Sequence, residues 1–121
     1  MSQHRELFKR RTKDLALRVI NLCDALPTKA STRVICNQLL RSGTSVGANY
    51  RSACRARSPA EFCAKMGIVE EELDESLYWL ELLIETQTIK RERLQPLVEE
   101  MNELLAMTVA SITTARRKKA K

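Results

Sequence analysis

Apolar residues recur at intervals of three and four along nearly the whole chain, a spacing that predicts four amphipathic helices. In the first segment Phe8, Leu15, Val19, Leu22 and Leu26 share a face with Thr12 and Cys23. This predicts a helix over about residues 4–26, which Pro27 ends. A second helix over about 31–55 begins near Ser31, whose hydroxyl can cap free amides, and turns Ile35, Leu39, Val46, Tyr50 and Ala53 inward. Ser58, Pro59 and Glu61 combine a serine cap, a proline at the first helical position and a capping-box glutamate. They start a third helix over about 59–85, whose inward stripe is Phe62, Met66, Val69, Leu73, Leu77, Leu80 and Ile84. A fourth helix over about 92–116 carries Leu94, Leu97, Val98, Met101, Leu105, Val109 and Ile112. Pro96 is tolerable there only in the first turn, and a basic tail over 116–121 is expected to fray.

At 121 residues the chain is expected to form one domain, and only three glycines and three prolines interrupt it, which favours an all-α fold. Short connections between long helices make neighbours antiparallel, so the expected architecture is an up-down-up-down four-helix bundle. Helices that fold only with a partner are the alternative, but each helix has a complete apolar stripe. The second helix is unusual in its middle. Gln38, Ser42, Ser45 and Asn49 form a polar stripe beside the apolar one, while Gly43 and Gly47 each weaken the helix by about 1 kcal/mol relative to alanine. Small residues at these places let a neighbouring backbone come close. Arg41 comes level with the acidic run of the third helix, and an ion pair with Glu72 or Glu75 is expected. Ser45 and Asn49 are expected to find hydrogen-bond partners across the bundle.

The stretches QLLRSGTSVGAN, from Gln38 to Asn49, and EELDESLYWLELL, from Glu71 to Leu83, together with Leu26-Pro27, resemble the four helix bundle protein family. That family is also known as the intervening-sequence protein of bacterial large-subunit ribosomal RNA. The resemblance runs from about Leu7 to Ile112. The chain departs from the commoner family pattern at Gly47, where proline is usual, and at Ser52 and Ala53, where a Glu-Gly pair is usual. The resemblance implies an antiparallel bundle that assembles as a homopentamer. It also implies structural similarity to the accessory protein of diversity-generating retroelements, which works with a reverse transcriptase and nucleic acid.

Charge sharpens the functional reading. The net charge is +6, and in an up-down-up-down bundle many cations gather at one end. The candidate nucleic-acid contacts there are Arg5, Lys9, Arg10, Arg11, Arg51, Arg55, Arg57, Arg116, Arg117, Lys118 and Lys119, with Lys13, Lys65 and Lys121 nearby. Most acids, including Glu70 to Glu75, map to the middle and opposite half. Such a face suits phosphate backbones, RNA above all, through release of condensed counterions. With only five aromatics, base stacking has little to work with. Competing readings are solvation of a small basic protein, an acidic protein partner, or a membrane surface. Trp79 falls off the main stripe of the third helix with Ile68, Leu82 and Leu83, and this flank is the expected contact between copies; Leu17 and Ile20 lie off the stripe of the first helix.

Catalysis finds no support. The only histidine is His4, so no triad or Glu-x-x-His metal pair can be drawn, and no phosphate loop with a Walker lysine exists. Cys23, Cys36, Cys54 and Cys63 lack C-x-x-C spacing and read as reduced core thiols rather than zinc ligands. No apolar run spans a membrane and the N-terminus lacks a secretory pattern, so a cytoplasmic location is expected. The sequence therefore predicts a non-enzymatic, homo-oligomeric nucleic-acid-binding protein without metal or cofactor. The alternative is an adaptor that scaffolds another protein, such as a reverse transcriptase or an acidic partner.

Overall fold

The computed structural model describes residues 2–120, with side chains through Lys118. It is an all-α four-helix bundle made of α1 (Gln3–Ala25), α2 (Ala30–Cys54), α3 (Pro59–Glu85) and α4 (Arg91–Ala120). No strand occurs among the described residues, and none of their helices is long and apolar enough to cross a membrane.

Local chemistry explains where the helices start and stop. Ser2 caps α1 by accepting from the Arg5 amide at 3.1 Å, and Ser58 caps α3 by accepting from the Glu61 amide at 3.1 Å. The Glu61 carboxylate reaches back to the Arg57 amide at 3.3 Å, one residue before the serine that a capping box would use. Helix α2 begins at Ala30 with Lys29 as its cap, so Ser31 lies inside the helix and does not cap it. At the end of α3, Gln87 takes φ of 59°, while its amide bonds Ile84 O at 2.9 Å and the Thr88 amide bonds Leu83 O at 3.1 Å. These two bonds satisfy carbonyls that the helix end leaves open. Pro96 sits in the second turn of α4 rather than the first. It is solvent-exposed, so water can reach the Glu92 carbonyl that its missing N–H leaves free. Helix α4 continues past the expected end at Arg116 to Ala120, and Lys121 lies outside the described residues.

The helices surround one core. Contact is most extensive between α2 and α3, and least between α1 and α4. Phe8 and Tyr50 tie α1 to α2, with ring centroids 4.2 Å apart. A Cβ built on Gly43 would lie 3.0 Å from Val19 Cγ2, and one on Gly47 would lie 3.1 Å from Thr12 Oγ1. The two glycines thus let the α2 backbone sit directly on α1, which offsets their poor helix propensity.

The inward seams of α3 and α4 follow a seven-residue pattern. In α3 the buried positions are Met66, Val69, Leu73, Ser76, Leu80 and Leu83; in α4 Leu94, Leu97, Met101, Leu104, Thr108 and Ile112 are buried. Spacing of three then four is the knobs-into-holes repeat of supercoiled helices. The apolar periodicity instead points to Leu77 and Ile84 in α3 and to Leu105 and Val109 in α4. Leu77, Ile84 and Leu105 are only partly buried, and Val109 is 43% exposed. Leu83 and Leu104 take the inward places of Ile84 and Leu105, while Ser76 and Thr108 displace Leu77 and Val109 because their polar atoms are satisfied inside the core. Ser76 and Ser42 share a hydrogen bond of 2.8 Å across α3 and α2, and Thr108 donates to Leu104 O at 2.8 Å.

Three expectations about side chains are overturned. Arg41 forms no ion pair with Glu72 or Glu75, because burial of Ser42 and Gly43 rotates Arg41 to solvent. Glu75 instead accepts from Trp79 Nε1 at 3.3 Å. Asn49 and Ser45 do not bond across the bundle: Asn49 Nδ2 donates to Ser45 O and Ser45 Oγ, both at 2.9 Å, within α2. Leu83 is fully buried in the core and cannot belong to an exposed flank with Ile68, Trp79 and Leu82. Ile68 remains 37% exposed, and Tyr78, packed edge-on to Trp79 at 5.0 Å, is 51% exposed.

Candidate nucleic-acid interface

The start of α1 and the end of α2 place four cationic side chains around one small cleft. Arg5 and Lys9, one turn apart on α1, face Arg51 and Arg55, one turn apart on α2, across a space of about 310 Å³ that also touches Cys54. Among the described residues no carboxylate lines this cleft. Arg5 is steadied by a long hydrogen bond from Nη1 to Cys54 O, at 3.5 Å. Lys9 meets Glu6 at 3.5 Å, an exposed pair that costs little to break. Like charges held together in a cleft raise the local positive potential and attract anions.

Other predicted cations occupy different surroundings. Arg57 and Lys118 line a second, larger groove at the same end, which Arg5 shares. Arg10, Arg116 and Arg117 are exposed and line neither space. The side chain of Lys119 lies outside the described residues.

Arg11 is not a free cation. Its Nε donates to Glu100 Oε2 at 3.0 Å and its Nη2 donates to Glu100 Oε1 at 2.7 Å, a bidentate pair between α1 and α4. Nη2 also meets Glu103 Oε1 at 3.0 Å, and Nη1 approaches Met107 Sδ at 3.4 Å. With this full set of partners Arg11 straps the seam where α1 and α4 meet least. Its role is structural, since releasing it to a phosphate would leave the largely covered Glu100 carboxylate without its cation. Sequence spacing could not reveal a pair separated by 89 residues.

The pair has a pH signature. The hydrogen bonds from Arg11 hold the Glu100 carboxyl below its ordinary value of 4.5. A depressed carboxyl contributes stability that is present above the unfolded value and is lost as pH falls through the folded one. Glu100→Gln should therefore cost about 1.5 kcal/mol at neutral pH and flatten the loss of stability below about pH 4.5. Urea titrations of both proteins between pH 3 and pH 7 check this.

Burial, and then contact with Cys36, pushes the Cys23 thiol up to about 12, so it stays protonated. All four cysteines are unpaired, and no group of three or more His, Cys, Asp or Glu side chains among the described residues could hold a metal ion.

The model of the family described as 23S rRNA-intervening sequence protein matches residues 7–110. The chain belongs to the 23S rRNA-intervening sequence protein family. A crystal structure from Bacteroides thetaiotaomicron, of a protein with unknown function in the S23 ribosomal protein family, shares this fold with a TM-score of 0.84. It is 37% identical, over 90% of this chain and 97% of that one. No match is found among curated proteins. The span matched to the 23S rRNA-intervening sequence protein family includes Lys9, Arg51 and Arg55 but leaves out Arg5 at one end and Lys118 at the other.

Proposed function

We propose that the protein is a non-enzymatic, cytoplasmic nucleic-acid-binding protein that takes RNA phosphates at the basic end of its bundle. The observation that carries this reading is the cleft in which Arg5, Lys9, Arg51 and Arg55 converge, with no carboxylate among the described residues that line it. Phosphate contacts of this kind position a nucleic acid without reading its sequence. The family's description names a 23S rRNA intervening sequence, which favours structured RNA as the partner.

The same reading includes assembly. The helices run up, down, up, down, which brings the cationic turns of α1 and α2 to one end. The flank of Ile68, Trp79 and Leu82, extended by Tyr78, joins copies into a homo-oligomer, a pentamer by resemblance. A ring presents the cleft several times over, so weak contacts add through multivalency.

Fluorescence anisotropy with a labelled ribosomal RNA hairpin, on nuclease-treated protein of measured mass, tests the proposal. Affinity should fall steeply with salt. Arg51→Gln with Arg55→Gln should weaken binding roughly tenfold and lower the salt slope by about 2, while the thermal melt stays put because both residues are exposed. Unchanged affinity in this double variant, or binding indifferent to salt, overturns the reading.

A further inference from the structure

The larger groove at the basic end has a character that phosphate binding does not use. It lies between α1 and α4, flanked by the turn from α2 to α3, and encloses about 750 Å³. Its walls are mainly apolar, with Phe62, Met107 and Ala110 exposed to it. Arg5, Arg57 and Lys118 stand around it, and among the described residues no carboxylate lines it. Of the contacting helix pairs α1 and α4 are the least closely packed, and the Arg11 bridge to Glu100 and Glu103 spans their seam. Small side chains on α4, Ala110 among them, leave room where a bulky residue would close the gap.

We infer that this groove is a docking site for an acidic amphipathic helix of a partner protein. A helix about 10 Å across displaces roughly 400 Å³ per turn, so the groove takes about two turns. Its apolar face would lie on Phe62, Met107 and Ala110, in the manner of helix-in-groove recognition read at positions i, i+3, i+4 and i+7. Its carboxylates would meet Arg5, Arg57 and Lys118. Met107 suits such a role, since a thioether adapts to irregular apolar surfaces. A nucleic acid would satisfy the cations and leave the apolar floor in water, with Phe62 alone for stacking. The charge and the floor together fit the peptide. The inference is independent of whether the smaller cleft engages RNA, although both spaces share Arg5, so the two ligands should compete in part.

The probe is a fluorescein-labelled 15-residue peptide with leucines at i, i+3, i+4 and i+7 and glutamates beside them. Its control is a peptide of identical composition in which the leucines do not share a face. Anisotropy should show saturable binding of the first, and at least tenfold weaker binding of the second. Ala110→Trp, which fills the groove from an exposed position, should weaken binding tenfold or more with an unchanged circular dichroism melt. Arg57→Gln with Lys118→Gln should weaken it several-fold, while Arg51→Gln with Arg55→Gln should leave it unaltered. Equal binding of both peptides reduces the effect to charge and overturns the inference. So does an Ala110→Trp protein that binds as tightly as the parent. Failure of the peptide to bind, together with loss of RNA binding in Ala110→Trp, assigns the groove to nucleic acid instead.

Discussion

Replacing Gly43 with leucine is expected to destabilise the protein by about 3 kcal/mol, although leucine is the better helix former. Propensity alone predicts a gain of nearly 1 kcal/mol, so even the sign separates the two influences. Gly43 is buried on the face of α2 that meets α1, and the first side-chain carbon there would already stand 3.0 Å from one Val19 methyl and 3.1 Å from the other. Val19 is fully buried and β-branched, so it cannot swing aside. Leucine adds three further carbons, and the helices must separate to admit them. Separation in turn loosens Phe8 on Tyr50 and Thr12 beside Gly47. A urea unfolding curve gives the magnitude. A midpoint equal to or above that of the parent protein would show that the α1 and α2 backbones do not approach as described. Gly67 is the matching control: a Cβ there meets nothing within 4 Å, so Gly67→Ala should stabilise by somewhat less than 1 kcal/mol.

The second large effect distinguishes the two possible inner faces of α4. Leu104→Ala is expected to cost about 3 kcal/mol, whereas Val109→Ala should change stability by less than about 0.5 kcal/mol. Leu104 is fully buried, beside Met101 in the seam, and truncating it removes apolar surface and leaves a cavity. Val109 is 43% exposed, so its truncation removes little buried surface and opens no cavity. A reading from apolar spacing alone reverses this order, since Leu105 and Val109 continue the stripe of Leu94, Leu97 and Met101 as well as Leu104 and Thr108 do. Thermal melts of both variants at equal protein concentration would decide between them. A larger loss for Val109→Ala than for Leu104→Ala would mean that α4 is rotated by about one residue from the orientation described here.

The two predictions share a cause. A helix offers adjacent stripes about 100° apart, and hydropathy chooses between them only when polar residues stay outside. Thr108 breaks that assumption by donating to the carbonyl of its own preceding turn, and Ser76 breaks it by pairing with Ser42. Once satisfied, each hydroxyl fits the core as a small residue and lets the helices pack closely. The acidic flank of α3 departs from the sequence expectation for a related reason. Arg41 and Glu75 come level along their helices, yet ion pairing also depends on rotation about the helix axis, which spacing along the chain does not carry. The candidate site divides the same way. The gathering of Arg5, Lys9, Arg51 and Arg55 was legible, because short turns bring the start of α1 and the end of α2 together. The diversion of Arg11 was not, since Glu100 and Glu103 lie on a helix that is distant in sequence.

By itself the sequence determined what is local: four helices, the Ser58-Pro59 start, the end imposed by Pro27, and the two glycines that permit close approach within α2. It also carried the family signature and the excess of positive charge. Only the tertiary structure decided which stripe of α3 and of α4 faces inward, that Arg11 braces the seam between α1 and α4, and that the remaining cations divide between a small charged cleft and a larger apolar groove. The physical reason is one of range. Caps, prolines and glycines act through backbone atoms a few residues away, whereas rotation about a helix axis is settled by the summed packing of neighbours that the chain reaches only after tens of residues.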